Sequence, residues 1–227
     1  MFGSLKRFAL NKSKPRWSLP DISVECEVLG SEYGGWPVAI SGVGPDTAIF
    51  SFGAGYDISF DLAAVDRFGC TVLVFDPTPK SVAWMSSQIL PDRVKFHPIG
   101  IDHADGEAEF HSPSNPEHVS FAINRTPAAN GPYSVMATVM RLESIITHFD
   151  TAPPDILKLD IEGFEYRVID DILSGPIRPT QLLVEFHHKK YGFDISDTMQ
   201  LVNRLKSAGY RTFHVSESGR EYGFIRP

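Results

Sequence analysis

Residues Ala48–Thr78 read AIFSFGAGYDISFDLAAVDRFGCTVLVFDPT. The apolar run Ala48-Ile49-Phe50-Ser51-Phe52 has the length of a strand, and Gly53-Ala54-Gly55 breaks it. Asp57 suits a helix N-cap. Ile58, Leu62, Val65 and Phe68 then recur at helical spacing, and Gly69 is placed to end the helix. A second apolar run, Val72-Leu73-Val74-Phe75, finishes on Asp76-Pro77. Strand, glycine turn, helix, strand and acid make one βαβ unit.

That order carries a specific chemistry. Phe52, Gly53, Ala54 and Gly55 form a turn whose glycines let the backbone approach a ligand closely. The helix behind them presents free N–H groups and the positive end of its dipole. Asp76, 21 residues after Gly55 and followed by Pro77, is placed to accept hydrogen bonds from both hydroxyls of a ribose. A dinucleotide fingerprint asks for a third glycine where this chain has Ile58, and Asp57 puts a negative charge near a pyrophosphate. Both points disfavour NAD. They suit a cofactor with a ribose, an amine and no phosphate, which describes S-adenosylmethionine.

The totals fit one α/β domain. The chain has 227 residues, 42% of them hydrophobic, and no apolar run of membrane-spanning length. The net charge of −7 is unevenly spread. Met1–Arg16 holds Lys6, Arg7, Lys12, Lys14 and Arg16 and no acid, leaving 16 basic against 28 acidic residues, −12, in the remainder. So acidic a body argues against nucleic-acid binding. The basic arm, residues 1–20, is read as poorly ordered, with weak membrane-surface contact as its alternative role. Cys26 and Cys70 form neither a disulfide framework nor a zinc pattern, and a reducing cytoplasm is the default compartment.

Outward from the βαβ unit, residues 21–45 read as a hairpin, Val24–Leu29 and Trp36–Ile40, covering the edge or mouth of the main sheet. Its alternative role is to pack Tyr33 or Trp36 over a cofactor. Thr78-Pro79 starts a helix with Val82, Met85 and Ile89 inward. Val94–Ile99 is a third strand, and the chain leaves the sheet at Gly100-Ile101-Asp102 beside the ligand loop, so Ile101 and Asp102 join the cofactor-binding candidates. Residues 112–132, rich in Pro, Ser and Asn, read as a long excursion facing the substrate. Arg141–Phe149 and Asp194–Ala208 read as helices, and Tyr210–Val215 with Glu221–Ile225 as a closing hairpin. The expected whole is a single domain over 21–227. It is a Rossmann-like, mostly parallel seven-stranded sheet with helices on both faces and an antiparallel C-terminal hairpin.

A second stretch, Ile156-Leu157-Lys158-Leu159-Asp160-Ile161-Glu162-Gly163-Phe164-Glu165, places charges at the carboxyl end of a strand, where α/β proteins bind ligands. Alternation puts Lys158 and Asp160 on one face. Glu165 is read as capping the next helix. Gln181–Phe186 is the following strand. Glu185 and His187 share a face and approach Lys158 and Asp160 if the two strands are neighbours. The His187-His188 doublet reads as a solvated strand exit. No His/Asp spacing completes a metal ligand set, so no metal is expected.

At these residues the chain resembles the FkbM-type methyltransferases, a branch of the class I S-adenosylmethionine-dependent enzymes. The likeness rests on Lys158-Leu159-Asp160-Ile161-Glu162-Gly163-Phe164-Glu165, which matches the family's K-x-D-x-E-G-x-E pattern. It extends to Phe52-Gly53-Ala54-Gly55, Phe75-Asp76-Pro77-Thr78-Pro79 and Leu183-Val184-Glu185-Phe186-His187-His188, and runs from about Phe50 to the C-terminus. The chain departs at Ser51, where many class I enzymes carry an acid for the methionine amine, which leaves Asp57 or Asp160 to take it over. It departs mildly at Asp76, where many members have Glu. The resemblance implies methyl transfer to a hydroxyl, with sugars and glycosylated small molecules among the acceptors. On the residues alone, Asp160 is the first candidate for positioning or base, Lys158 the second, and Glu185 and His187 further acid–base candidates. The competing readings are a structural Lys158–Asp160 ion pair, a non-catalytic nucleoside-binding module of the same fold, and an NAD(P)-linked oxidoreductase. Acceptor identity and oligomeric state stay open.

Overall fold

The structure is a computed structural model that describes residues 19–115, 119–123 and 130–227. The basic arm up to Ser18 lies outside the described residues.

The chain first makes an antiparallel pair, β1 (Cys26–Leu29) and β2 (Trp36–Ala39). The expected βαβ unit follows as β3 (Ala48–Phe52), α1 (Ser59–Phe68) and β4 (Thr71–Phe75), with β3 and β4 parallel in the register Ala48 to Thr71. Then come α2 (Pro79–Met85), β5 (Val94–His97) and β6 (Gly100–Ile101). The long hairpin β7 (Gly106–Pro113) and β8 (Asn130–Met140) precedes α3 (Leu142–His148), β9 (Ile156–Leu159), α4 (Glu165–Ser174) and β10 (Gln181–Glu185). The chain closes with α5 (Ile195–Ser207), β11 (Arg211–Val215) and β12 (Glu221–Ile225).

One seven-stranded sheet runs in the order β11-β12-β10-β9-β3-β4-β5. Its strands from β10 to β5 are parallel, and β12 is antiparallel to both neighbours. The chain order reverses between β3 and β9, and a ligand crevice opens at such a reversal beyond the strands' carboxyl ends. A smaller sheet, β6-β8-β7, sits beside it.

Alternation along the strands produces two cores. Phe50, Phe52, Leu157, Leu159, Leu182 and Val184 pack with Leu142, Ile145, Val168, Ile169, Leu201 and Leu205 from α3, α4 and α5. Ile49, Val72, Val74, Ile156 and Leu183 pack with Phe60 and Ala64 of α1 and with Trp36 and Val38 of the hairpin. Each such side chain contributes roughly 1.5–3 kcal/mol on burial, so the two apolar faces fix which elements lie on which side. Gln181 ties the hairpin down, accepting from the Ala39 N–H at 3.0 Å and donating to its carbonyl at 2.8 Å.

Three local expectations change. In α1 the buried face is Phe60, Asp61 and Ala64, while Leu62 is 37% exposed. Two residues are about 200° apart around a helix, so burial of Phe60 and Ala64 turns Leu62 outward. Helix α2 ends at Met85, where the Ser86 and Ser87 hydroxyls donate to the Val82 and Trp84 carbonyls, so Ile89 lies past it, exposed. Residues 112–132 are not one excursion: Ser112 and Pro113 belong to β7 and residues 130–132 to β8, with His111 bridged to Ala122. Residues 116–118 and 124–129 of that stretch lie outside the described residues.

Candidate functional site

A cavity of about 1040 Å³ opens at the carboxyl ends of β3, β4, β9 and β10. Among the expected site residues, Phe52, Gly53, Ala54, Gly55, Asp57, Asp76, Pro77, Ile101, Lys158, Asp160, Glu185 and His187 line it. Asp102 does not. Its carboxylate is taken by Arg167 at 2.6 Å and by the His103 ring at 2.7 Å, which turns it toward α4. This corrects its expected place beside the ligand.

At one end the glycine loop is held by its own backbone. The Gly53 N–H donates to Phe75 at 2.9 Å, and the Asp160 N–H donates to Phe52 at 3.2 Å. Gly53 has φ +88°, and a Cβ there would lie 1.8 Å from the Asp160 carbonyl oxygen. At Gly55, with φ +53°, an added Cβ would meet, among the described residues, only a Val119 methyl, at 3.6 Å. The Gly55 N–H donates to Asp76 Oδ2 at 3.0 Å, and its carbonyl accepts from the Ser81 hydroxyl at 2.9 Å. The other Asp76 oxygen accepts from Thr78 N–H at 2.9 Å and its hydroxyl at 2.7 Å. Asp76 is thus aimed from the end of β4 at the loop it faces.

The start of α1 is already capped. Asp57 accepts from the Ser59 N–H at 2.7 Å and from the Ser31 hydroxyl at 2.6 Å. Burial raises its pKa, but the hydrogen bonds from Ser31 and Ser59 outweigh this and hold it below the usual carboxylate range. The same bonds clamp the 30–35 turn against α1. A Cβ on Gly34 would fall 2.6 Å from the Asp57 carboxyl carbon, which demands glycine there. The clamp carries Trp36 into the wall and leaves Tyr33 at the cavity mouth, 91% exposed. Burial, Asp160, Glu162 and Glu185 together raise the Tyr33 hydroxyl above its ordinary range.

Lys158 is buried beneath this loop. Its ammonium donates to the Gly53 carbonyl at 3.2 Å and the Phe52 carbonyl at 3.4 Å, and lies 5.4 Å from the centre of the Trp36 ring. Those bonds meet the cost of burying the charge and tie β9 to the glycine loop. The cation is directed at backbone carbonyls.

At the other end, β9 and β10 are neighbours, and their register pairs Leu159 with Val184, so Asp160 and Glu185 come level. His187 follows and is 1% exposed. Its peptide N–H donates to Glu165 Oε1 at 2.8 Å, and its Nδ1 lies 3.1 Å from the same oxygen. Its Nε2 lies 3.2 Å from Glu162, 3.9 Å from Glu185 and 4.0 Å from Asp160. Glu165, fully buried, does more than the expected capping: it grips His187 and also accepts from the Gly163 N–H at 2.8 Å. The histidine doublet is no solvated exit either. His188 is buried too, 3.3 Å from the Thr198 hydroxyl.

The charges shift together here. Burial alone would lower the His187 imidazole, but Glu165, Glu162 and Asp160 raise it to about 10. Burial, aided by Glu162 and Glu165, raises Asp160 against the pull of Lys158 and His187. Burial and Asp160 push Glu185 up to about 7, against His187 and against Arg220, whose guanidinium lies 3.4 Å away. Burial raises Glu162, yet His187 and the Tyr191 hydroxyl, 2.5 Å from its carboxylate, hold it below its usual range. Tyr191 and Arg220 are the residues that sequence reasoning missed. No spacing announces them, since they reach the cluster from the loop after β10 and from the turn before β12.

The family profile described as the methyltransferase FkbM domain matches residues 51–212. Among curated proteins, the probable methyltransferase-like protein 24 of Rattus norvegicus and that of Homo sapiens are each 26% identical over 176 residues. The match takes in 73% of this chain and 42% of each relative, so the chain spans less than half the length of these proteins. Among solved structures, a precorrin-6y C5,15-methyltransferase from Geobacter metallireducens aligns with a TM-score of 0.42 at 11% identity, covering 81% of this chain and 82% of that one. P. horikoshii TYW2 in complex with MeSAdo aligns with a TM-score of 0.39 at 11% identity, covering 89% and 70%.

Proposed function

The chain belongs to the methyltransferase FkbM domain family, and from that premise we propose that it transfers the methyl group of S-adenosylmethionine to a hydroxyl of a small-molecule or glycan acceptor. The observation that carries this reading is one cavity joining Asp76 and the glycine loop to the carboxylates of Asp160 and Glu185. Asp76 would accept from the cofactor's ribose hydroxyls. Phe52, Gly53, Ala54, Gly55, Pro77 and Ile101 would wall the nucleoside, and Asp57 would receive the methionine amine, which leaves Asp160 to the acceptor end. A dinucleotide is disfavoured because Asp57 already occupies the N-terminus of α1, where a pyrophosphate would sit.

The sulfonium carries its own activation, so the protein's task is alignment and removal of one proton. The acceptor oxygen attacks the methyl carbon, the O–CH3 bond forms as the S–CH3 bond breaks, and the hydroxyl proton passes to Glu185. With its acidity near neutrality, Glu185 is matched to that transfer. His187 is gripped by Glu165 through its peptide N–H and Nδ1, so it orients the cluster. Lys158 acts on the glycine loop it bonds rather than on the acceptor. Tyr33 at the mouth offers an aromatic face to a sugar ring.

The acidic body supports a small-molecule or glycan acceptor over nucleic acid. Two free thiols support a reducing compartment such as the cytoplasm. No helix among the described residues is long and apolar enough to cross a membrane.

The test is transfer of labelled methyl from S-adenosylmethionine to a panel of sugars and glycosides. The expected outcome is turnover that Glu185→Gln lowers on the order of 100-fold while cofactor affinity stays within a few-fold. Tight cofactor binding with no transfer to any hydroxyl acceptor would instead support a nucleoside-binding module.

A further inference from the structure

We propose that Asp160, Glu185 and His187 form a site for one divalent metal ion, of the kind represented by Mn2+, at the acceptor end of the cavity. One ligand atom from each lies within 4.8 Å of the other two. His187 Nε2 stands 4.0 Å from Asp160 Oδ1 and 3.9 Å from Glu185 Oε1. These separations are too long for hydrogen bonds. They are the separations of atoms sharing an ion, since bonds of about 2.0–2.2 Å set neighbouring ligands roughly 3–4 Å apart.

A second observation stands outside the three ligands. Glu165, fully buried on α4, holds His187 by both its peptide N–H and Nδ1. A carboxylate on Nδ1 is the outer-shell partner of a ligating histidine and fixes the ring's direction, while Glu162, 3.2 Å from Nε2 in the ion-free protein, is the group an ion there would displace or take as a further ligand. Here that direction is toward Asp160 and Glu185. The Asp160 carboxylate, in turn, accepts no hydrogen bond from any described residue, and its nearest ion-pair partner is Nε2 itself.

Two carboxylate oxygens and one imidazole nitrogen, with no thiolate, suit Mn2+ or Mg2+ better than a zinc structural site. Three protein ligands leave positions open to the cavity. An acceptor hydroxyl completing the shell would be oriented toward the methyl group and made more acidic. Glu185 binds through Oε1, which leaves Oε2 for the proton. That role rests on the methyl-transfer reading, but ion binding does not.

The experiment is a Mn2+ titration of the chelator-treated full chain, read by the paramagnetic resonance signal of free Mn2+, without cofactor or acceptor. The expected result is one ion per chain, weakened at least about tenfold by Asp160→Asn and by Glu185→Gln. Both variants keep side-chain shape, so their circular dichroism should match the parent and show that the fold is retained whatever the shift in metal-free melting point. No binding by the parent at millimolar Mn2+, or equal binding by both variants, would overturn the site. Either result would leave the cofactor and transfer measurements standing on their own.

Discussion

Across the cavity, the Gly53–Asp76 end and the Asp160–His187 end are held in different ways. At the first, 24 residues of continuous chain supply nearly everything, and the contacts are backbone hydrogen bonds closed by Asp76, Ser81 and Thr78. Left-handed backbone occurs in this stretch only at Gly53, Gly55 and Gly69. At the second end, groups arrive from β9, α4, β10, the loop after it and the turn before β12. Glu162, Lys189 and Tyr191 sit at φ +49°, +67° and +53° without being glycine. Four carboxylates crowd one histidine, and several of these groups leave their ordinary titration range. The difference teaches which end does what. A relaxed, backbone-built surface suits holding a cofactor. Electrostatic and conformational strain collects where a reaction needs groups poised between two states.

The largest effect should come from Gly53→Ala. Its Cβ would overlap the Asp160 carbonyl, so the chain should fail to fold or melt far below the parent in a thermal scan. Gly55→Ala is the control within the same loop. There the space is open and only the left-handed backbone costs, about 1–2 kcal/mol. Equal losses for the two would break the claim that Gly53 is fixed by packing on β9.

Next is Glu165→Ala, which leaves the buried N–H groups of Gly163 and His187 without their acceptor and should cost on the order of 2–5 kcal/mol in urea denaturation. A loss below 1 kcal/mol would mean the acid end is not strained as described.

The third effect is pH dependence of the metal-free protein. His187, faced by Glu165, Glu162, Asp160, Glu185 and Tyr191, keeps its proton to about pH 10, whereas an unfolded histidine releases it near 6.5. Its stabilising contribution is therefore complete below pH 6.5 and lost as pH rises toward 10. The linkage amounts at most to a few kcal/mol. Denaturation at pH 6.5 and 9.5 should show the fall in the parent and a smaller fall in His187→Gln.

The smallest effect is expected of Tyr33→Ala, which should raise the acceptor KM several-fold and leave cofactor affinity unchanged. A change in cofactor affinity would move Tyr33 to the other end of the cavity.

The same contrast explains what could be read from the amino-acid order. The βαβ unit is local: strand length, turn and strand-end acid all lie within one stretch, and the observed β3-α1-β4 unit follows it closely. The neighbouring of β9 and β10 stayed conditional in the sequence, because alternation along Lys158, Asp160, Glu185 and His187 assigns faces but does not say which strands pair. Burial at helix ends was not legible. Leu62, Ile89, Glu165 and His188 are placed by how closely α1 packs, by where α2 stops and by what covers the exit of β10. None of these leaves a periodic trace. Asp102 was misplaced because Arg167, 65 residues later, claims it. The convergence of Asp160, Glu185 and His187 followed from their shared faces once the two strands were neighbours, but groups drawn from two strands have no fixed spacing, so no ligand pattern along the chain marks them.

The central claim is that the glycine loop and Asp76 bind S-adenosylmethionine while the acid end stays free for the acceptor. Calorimetric binding of S-adenosylmethionine and of its demethylated product tests it most directly, on the parent, Asp76→Ala and Asp160→Asn, with NAD as control. The account predicts micromolar binding of both ligands, weakened at least about tenfold by Asp76→Ala, changed no more than a few-fold by Asp160→Asn, and no binding of NAD. Absence of binding, or binding indifferent to Asp76→Ala, would contradict it.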